Sequence, residues 1–153
     1  MKELVIMMGV PGSGKSSFVD KHLTGEWVPG YQLVCRDDIR LAFGNLFNEL
    51  VEPYIYAITQ TMVRALMIRN LDIILDETNT NIVIINKWIK LAKEYDYKIR
   101  AIVMTTPIEV CKERRKTKEG IFPEEVIDRM STQLAELLQD DNFKQQVDQI
   151  HFI

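Results

Sequence analysis

One stretch of this chain restricts its fold more than any other. Gly9-Val10-Pro11-Gly12-Ser13-Gly14-Lys15-Ser16 satisfies the pattern G-x-x-x-x-G-K-[ST] at every fixed position. The apolar run Leu4-Val5-Ile6-Met7-Met8 precedes it, and so short a run suits a strand buried on both faces of a parallel sheet. Lys15 to Leu23 reads as a helix. The unit is therefore strand, glycine-rich turn, helix, a context that a chance glycine-rich turn lacks. Glycines let the backbone approach an anion closely, and successive backbone N–H groups make a concave anion site. The helix then points the positive end of its dipole at the same place. Gly9, Pro11, Gly12, Ser13, Gly14, Lys15, Ser16 and Ser17 are expected to cradle the phosphates of ATP. Lys15 would reach the β- and γ-phosphates, and the Ser16 hydroxyl would ligate Mg²⁺.

Beyond the turn, strands and helices alternate. Gln32 to Cys35, Leu71 to Leu75, Ile99 to Met104 and Gln149 to Ile153 read as strands. Asp37 to Phe43, Glu52 to Asn70 and Ile82 to Tyr95 read as helices, one more opens at Pro107, and another runs from Pro123 to about Leu138. The Glu52 to Asn70 helix is read as amphipathic, with Ile55, Ile58, Met62, Ala65, Leu66 and Ile68 on its apolar face. Such alternation predicts an α/β domain with a mostly parallel sheet, and ligands at the carboxyl ends of its strands. The 153 residues fit one domain, 1–153.

Net charge is -3, which argues against a protein that coats nucleic acid by bulk charge. Charge is nevertheless uneven. Lys87, Lys90, Lys93, Lys98 and Arg100 are followed by Lys112, Arg114, Arg115, Lys116 and Lys118, whereas the segment after Pro123 is acidic. A local basic rim is expected. Cys35 and Cys111 form no CxxC pair, so neither a disulfide nor a zinc site is expected. No apolar stretch approaches the roughly 18 residues of a membrane span and no leader is apparent, so a cytoplasmic protein of phage or bacterial type is expected.

Two further clusters carry candidate chemistry. Asp76 ends the apolar strand Ile73-Ile74-Leu75, the position of a second metal-organising group that holds Mg²⁺ through water. Glu77, Thr78 and Asn79 follow it; Thr78 and Asn79 are read either as substrate contacts or as caps of the next helix. Asp37 directly follows the second strand, where a carboxylate can accept the proton of an attacking hydroxyl. Arg40, three residues on, shares its helical face and can clamp an anion. The plainer reading is an N-cap and an exposed arginine. His22 and His151 are read as structural or exposed. Cys35, Cys111, Met7, Met8, Met62, Met67 and Trp88 are read as packing, and Trp27 either as a base platform or as a core cover.

In order and spacing, Gly9 to Ser16, Arg36-Asp37-Asp38-Ile39-Arg40 and Asp76-Glu77-Thr78-Asn79 resemble the polynucleotide kinase-like P-loop kinases, notably the kinase half of phage polynucleotide 5′-kinase/3′-phosphatases. The likeness spans nearly the whole chain. It implies a three-layer P-loop fold with a five-stranded parallel sheet in the order 2-3-1-4-5 and a helical lid near 112–122. It implies that Asp37 is the general base, that Arg40 contacts the acceptor's phosphate, and that Glu77, Thr78 and Asn79 line the acceptor site. Arg114 matches the first lid arginine; the second falls at Lys118, or at Arg115 if the register slips. Lysine there is a weaker clamp than a forked guanidinium, and the family carries Asp where Glu77 stands. No Asp-x-Asp-x-Thr motif is present, so no phosphatase half is expected. The implied activity is ATP-dependent phosphorylation of a nucleic-acid hydroxyl, the 5′-OH end of DNA or RNA, in DNA modification or repair. Kinases of hydroxymethylated DNA bases or of small-molecule hydroxyls are the alternatives, and a non-enzymatic nucleotide switch is a weaker one. Oligomeric state is left open.

Overall fold

A computed structural model describes residues 1–22, 30–44, 47–116 and 123–153. The strands are β1 (Glu3–Met8), β2 (Tyr31–Cys35), β3 (Asp72–Asp76), β4 (Lys98–Val103) and β5 (Gln149–Phe152). The helices are α1 (Lys15–His22), α2 (Arg36–Ala42), α3 (Glu52–Ile68), α4 (Ile82–Glu94), α5 (Ile108–Lys116), α6 (Glu124–Gln139) and α7 (Asp141–Gln146). Every pairing is parallel and the strand order is β2-β3-β1-β4-β5, the implied kinase-type order. Central β1 is apolar throughout because both its faces are covered: Leu4 to Met8 are fully buried.

Alternate residues feed two cores. Leu4, Ile6, Met8, Ile73, Leu75 and Ile99 pack with Val63 and Met67 of α3, Trp88 and Ile89 of α4, Leu134 and Leu137 of α6 and Phe143 of α7. Val5, Met7, Ile74 and Ile102 face Val19 of α1. A smaller cluster of Val10, Cys111 and Ile127 ties α5 and α6 to the phosphate loop. Each large aliphatic side chain so buried contributes about 1.5–3 kcal/mol.

Two expectations need correction. The core face of α3 is Ile55, Thr59, Val63 and Met67, an i, i+4 row, whereas Met62 and Ile68 are exposed. Thr59 is tolerated there because its hydroxyl donates to the Ile55 carbonyl at 2.7 Å, which satisfies its polarity within the helix. The second correction is α7, which the alternation of elements does not announce. Asp140 caps it by accepting from Phe143 N at 2.7 Å, and Phe143 is fully buried. Helix α3 ends as Asn70 adopts φ 55, the left-handed conformation of many C-terminal caps. The expectations for Trp27, Lys118 and the 117–122 part of the lid lie outside the described residues.

The register brings the motifs to one edge. Asp76 pairs with Met7 on one side and Cys35 on the other. The phosphate loop, Asp76 and the start of α2 therefore leave the sheet side by side at its carboxyl end.

Candidate active site

The phosphate loop turns through Gly12 (φ 84) and Gly14 (φ 93). A Cβ on Gly12 would lie 2.6 Å from the Cys111 carbonyl oxygen, so helix α5 packs too closely for any side chain at that position. The loop carbonyls are held by donors around it. Lys15 Nζ donates to Gly9 O at 2.9 Å and Val10 O at 3.1 Å, Thr106 Oγ1 to Ser13 O at 2.8 Å, and Arg114 Nη1 to Gly12 O at 3.1 Å. Gly9 N donates to Thr78 O at 2.9 Å and joins the loop to the end of β3. Burial pulls the Lys15 ammonium down to about 8, against the opposing pull of Asp76 and Asp37. Pro11 and Ser13 are buried; Ser16 and Ser17 are exposed.

Ser16 Oγ donates to Asp76 Oδ2 at 2.7 Å, so the two expected metal-organising residues meet across the crevice. Burial pushes the Asp76 carboxyl up; the Ser16 hydroxyl and Lys15 oppose that, while Asp37 and Asp20 reinforce it. One hydroxyl and one carboxylate are hard oxygen donors, a set that fits Mg²⁺ holding most of its own waters. Among the described residues no three His, Cys, Asp or Glu side chains cluster as an all-protein metal cage.

Asp37 and Arg40 sit on one face of α2. Arg40 Nη1 donates to Asp37 Oδ1 at 2.5 Å, and Asp37 is 76% exposed. The carboxylate is nonetheless close enough to act on the charge of both Lys15 and Asp76. Arg40 also forks onto Glu52, Nε to Oε1 at 2.7 Å and Nη2 to Oε2 at 2.8 Å. These bonds raise the Arg40 guanidinium well above its ordinary range and hold the Glu52 carboxyl below its own. Glu52 is a site residue that the sequence pattern does not single out; an acid in the first turn of a helix reads as an ordinary dipole partner.

The segment after Asp76 is divided among three tasks. Glu77 is buried and paired with Arg36 at 2.5 Å. Thr78 lends its carbonyl to Gly9. Asn79, at φ 50, donates its side-chain amide to Met7 O at 2.8 Å and Leu75 O at 3.5 Å. The resemblance implies that all three line the acceptor site; among the described residues Glu77 Oε2 and the Asn79 amide nitrogen are bonded within the protein, while Glu77 Oε1 and Asn79 Oδ1 are buried without a hydrogen-bond partner. Neither Thr78 nor Asn79 caps α4, since the cap is Asn81, which accepts from Val83 N at 2.9 Å and Ile84 N at 3.4 Å.

Of the residues expected in a lid, Arg114 reaches the phosphate loop, and the Arg115 stem lies against Gly12. Lys112 pairs with Asp128 at 2.8 Å, and Lys116 lies 3.6 Å from both Glu113 and Glu124. These lysines are part of a salt-bridged seam between α5 and α6.

Residues 4–137 match the family model described as an AAA domain. The chain is 23% identical over 137 residues to a protein of Autographa californica nuclear polyhedrosis virus named a bifunctional polynucleotide kinase/RNA ligase, a match covering 80% of this chain and 19% of that protein. It is 30% identical over 112 residues to an Acanthamoeba polyphaga mimivirus protein named a bifunctional polynucleotide phosphatase/kinase, covering 72% of this chain and 23% of the relative. Among solved structures, a chain of the Pnkp1/Rnl/Hen1 RNA repair complex superposes with TM-score 0.78 at 26% identity, over 96% of this chain and 46% of that one. The chain thus spans about a fifth of the length of these curated relatives. Among the described residues no helix is long and apolar enough to cross a membrane.

Proposed function

The chain belongs to the AAA-domain family and is a polynucleotide kinase-like P-loop kinase domain, and from that premise we propose that it transfers the γ-phosphate of ATP to the 5′-OH end of DNA or RNA. The observation that carries the reading is a convergence. Lys15 lies in the phosphate loop, Asp76 is bonded to Ser16, and Asp37 stands two residues beyond Cys35, the register partner of Asp76, all at one sheet edge.

In this reading the glycine-rich loop and Lys15 grip the β- and γ-phosphates. Ser16, and Asp76 through water, would hold Mg²⁺, which would supply neutralisation of the triphosphate charge. Asp37 accepts the proton of the acceptor hydroxyl as that oxygen bonds to the γ-phosphorus, and the bond to the β-phosphate oxygen breaks to release ADP. Its Oδ1 is engaged by Arg40, which leaves the other oxygen for the proton. Three of the five Arg40 N–H donors are spent on Glu52 and Asp37, so among the described residues two remain for the acceptor's phosphate. Arg114, with Lys118 or Arg115 as second cation, belongs to a lid that excludes water, which otherwise competes with the acceptor hydroxyl. Phe43, which lines a small pocket with Arg40 and Glu52, is 55% exposed, and Phe47 and Tyr54, the latter in the first turn of α3, are 63% and 69% exposed. Their rings offer flat surfaces on which bases stack, and this favours a nucleic-acid acceptor over a small alcohol.

The test is γ-labelled ATP and Mg²⁺ with a panel of 5′-OH DNA, 5′-OH RNA, DNA carrying hydroxymethylated pyrimidines, and free nucleosides. Label is expected at the 5′ terminus of the strands. Label that stays internal once all 5′ ends are blocked identifies a modified-base kinase instead, and label confined to nucleosides contradicts the polynucleotide reading.

A further inference from the structure

An open groove of about 560 Å³ runs between α4 and α7, away from the phosphate loop. Asn86, Lys90, Lys93, Glu94, Asn142 and Gln146 line it. Lys93 Nζ donates to Gln146 Oε1 at 2.8 Å, and Glu94, the one carboxylate among the described lining residues, lies 3.8 Å from Arg64. Lys87, Lys90 and Lys93 recur every third residue along the exposed side of α4. The row connects to the active site through one ring. The Lys87 ammonium is 5.1 Å from the centroid of Tyr56, and the guanidinium of Arg36, the residue before Asp37, is 5.8 Å from the same centroid.

We propose that the row Lys87, Lys90 and Lys93, which meets the active site through Tyr56 and Arg36, carries the phosphate backbone of a polynucleotide acceptor behind its reacting end. The proposal rests on the kinase reading and specifies its substrate as a strand several nucleotides long. Three features argue for a backbone. Lys87, Lys90 and Lys93 recur every third residue, which suits a repeating anion. They are lysines, point charges that hold phosphate without reading sequence. The groove is shallow and open, whereas small-ligand sites enclose most of their ligand. The positive row stands out on a chain of net charge -3. Helix α4 starts just beyond the active-site edge, and Lys93 lies eleven residues along it. At 1.5 Å per residue that is about 16 Å, on the order of five stacked nucleotides at 3.4 Å each.

The test compares a 5′-OH 12-mer with a nucleoside 3′-phosphate across a range of KCl concentrations. It uses wild type, the triple variant Lys87→Ala/Lys90→Ala/Lys93→Ala, and Lys90→Glu, which keeps the Lys93 to Gln146 bond. Strand binding is also read by fluorescence anisotropy, which needs no catalysis. The triple variant is expected to weaken 12-mer binding and raise its KM at least tenfold at low salt. The slope of log affinity against log salt should fall by about 2, from roughly 0.7 per lost contact. Lys90→Glu should act in the same direction, and the KM for the nucleoside 3′-phosphate should stay within twofold. Equal 12-mer affinity in all three proteins overturns the row, as does an equal change for long and short acceptors. Strand binding that depends on the lysines without any phosphate transfer keeps the row and overturns the kinase reading.

Discussion

The Arg40 guanidinium is gripped by Glu52 through parallel bonds of 2.7 and 2.8 Å, while its third contact goes to Asp37. A fork held at its Nε edge cannot rotate, so the remaining N–H groups keep a fixed direction. The pair joins the first turn of α3 to α2 across twelve residues of chain, and it orients the group proposed to read the acceptor.

Replacing Glu52 with Gln removes the charge that holds Arg40 and leaves the side chain nearly the same size. The expected result is about a tenfold loss in kcat/KM for the acceptor, about 1.4 kcal/mol of transition-state binding. The Kd for ATP should be unchanged. Steady-state kinetics with the acceptor varied, beside a nucleotide titration, checks both. Unchanged acceptor kinetics would remove Glu52 from the site.

Lys15 titrates near 8 where an ordinary lysine titrates at 10.5. Because the folded value is lowered, the cost of the buried charge is complete below about pH 8. Between about 8 and 10.5 the unfolded chain binds more protons, so this group's contribution to stability rises with pH. A bound triphosphate places negative charge against the ammonium and lifts its pKa again. Binding of MgATP at pH 8.5 should therefore take up a substantial fraction of a proton per site, and less at pH 7. Calorimetry in buffers of different ionisation enthalpy measures this uptake; equal values at the two pH values contradict it.

Asn79 offers a separation of roles. Its amide is bonded to the Met7 and Leu75 carbonyls, which stitch β1 to β3 beneath the phosphate loop. Asn79→Ala is expected to cost about 1–3 kcal/mol of stability and to weaken ATP and acceptor together. A pure acceptor contact would raise the acceptor KM alone. Urea unfolding with the two KM values distinguishes them.

What the sequence discloses follows the range of the interactions involved. The β1, phosphate loop and α1 unit is legible because its pattern is local and each glycine answers a local backbone need. Asp76 is legible because it ends an apolar strand. The strand order came from family likeness, since no periodicity says which strands are neighbours. The α3 face is not legible because Thr59 looks polar although its hydroxyl bonds its own helix, while Met62 and Ile68 look like core yet are exposed. Helix α7 is short, and its apolar anchor is the single residue Phe143. Glu52 and the Asn79 amide owe their roles to partners twelve and seventy-two positions away, so no local pattern marks them.

The central claim is that Asp37 takes the acceptor's proton beside the triphosphate. The direct measurement is kcat for a 5′-OH oligonucleotide in Asp37→Asn, with the Kd for MgATP determined on the same protein. The amide keeps the shape of the side chain and cannot accept the proton, so kcat should fall by about 10²–10⁴ while the Kd stays within twofold. A variant that keeps kcat within threefold of the parent contradicts the account.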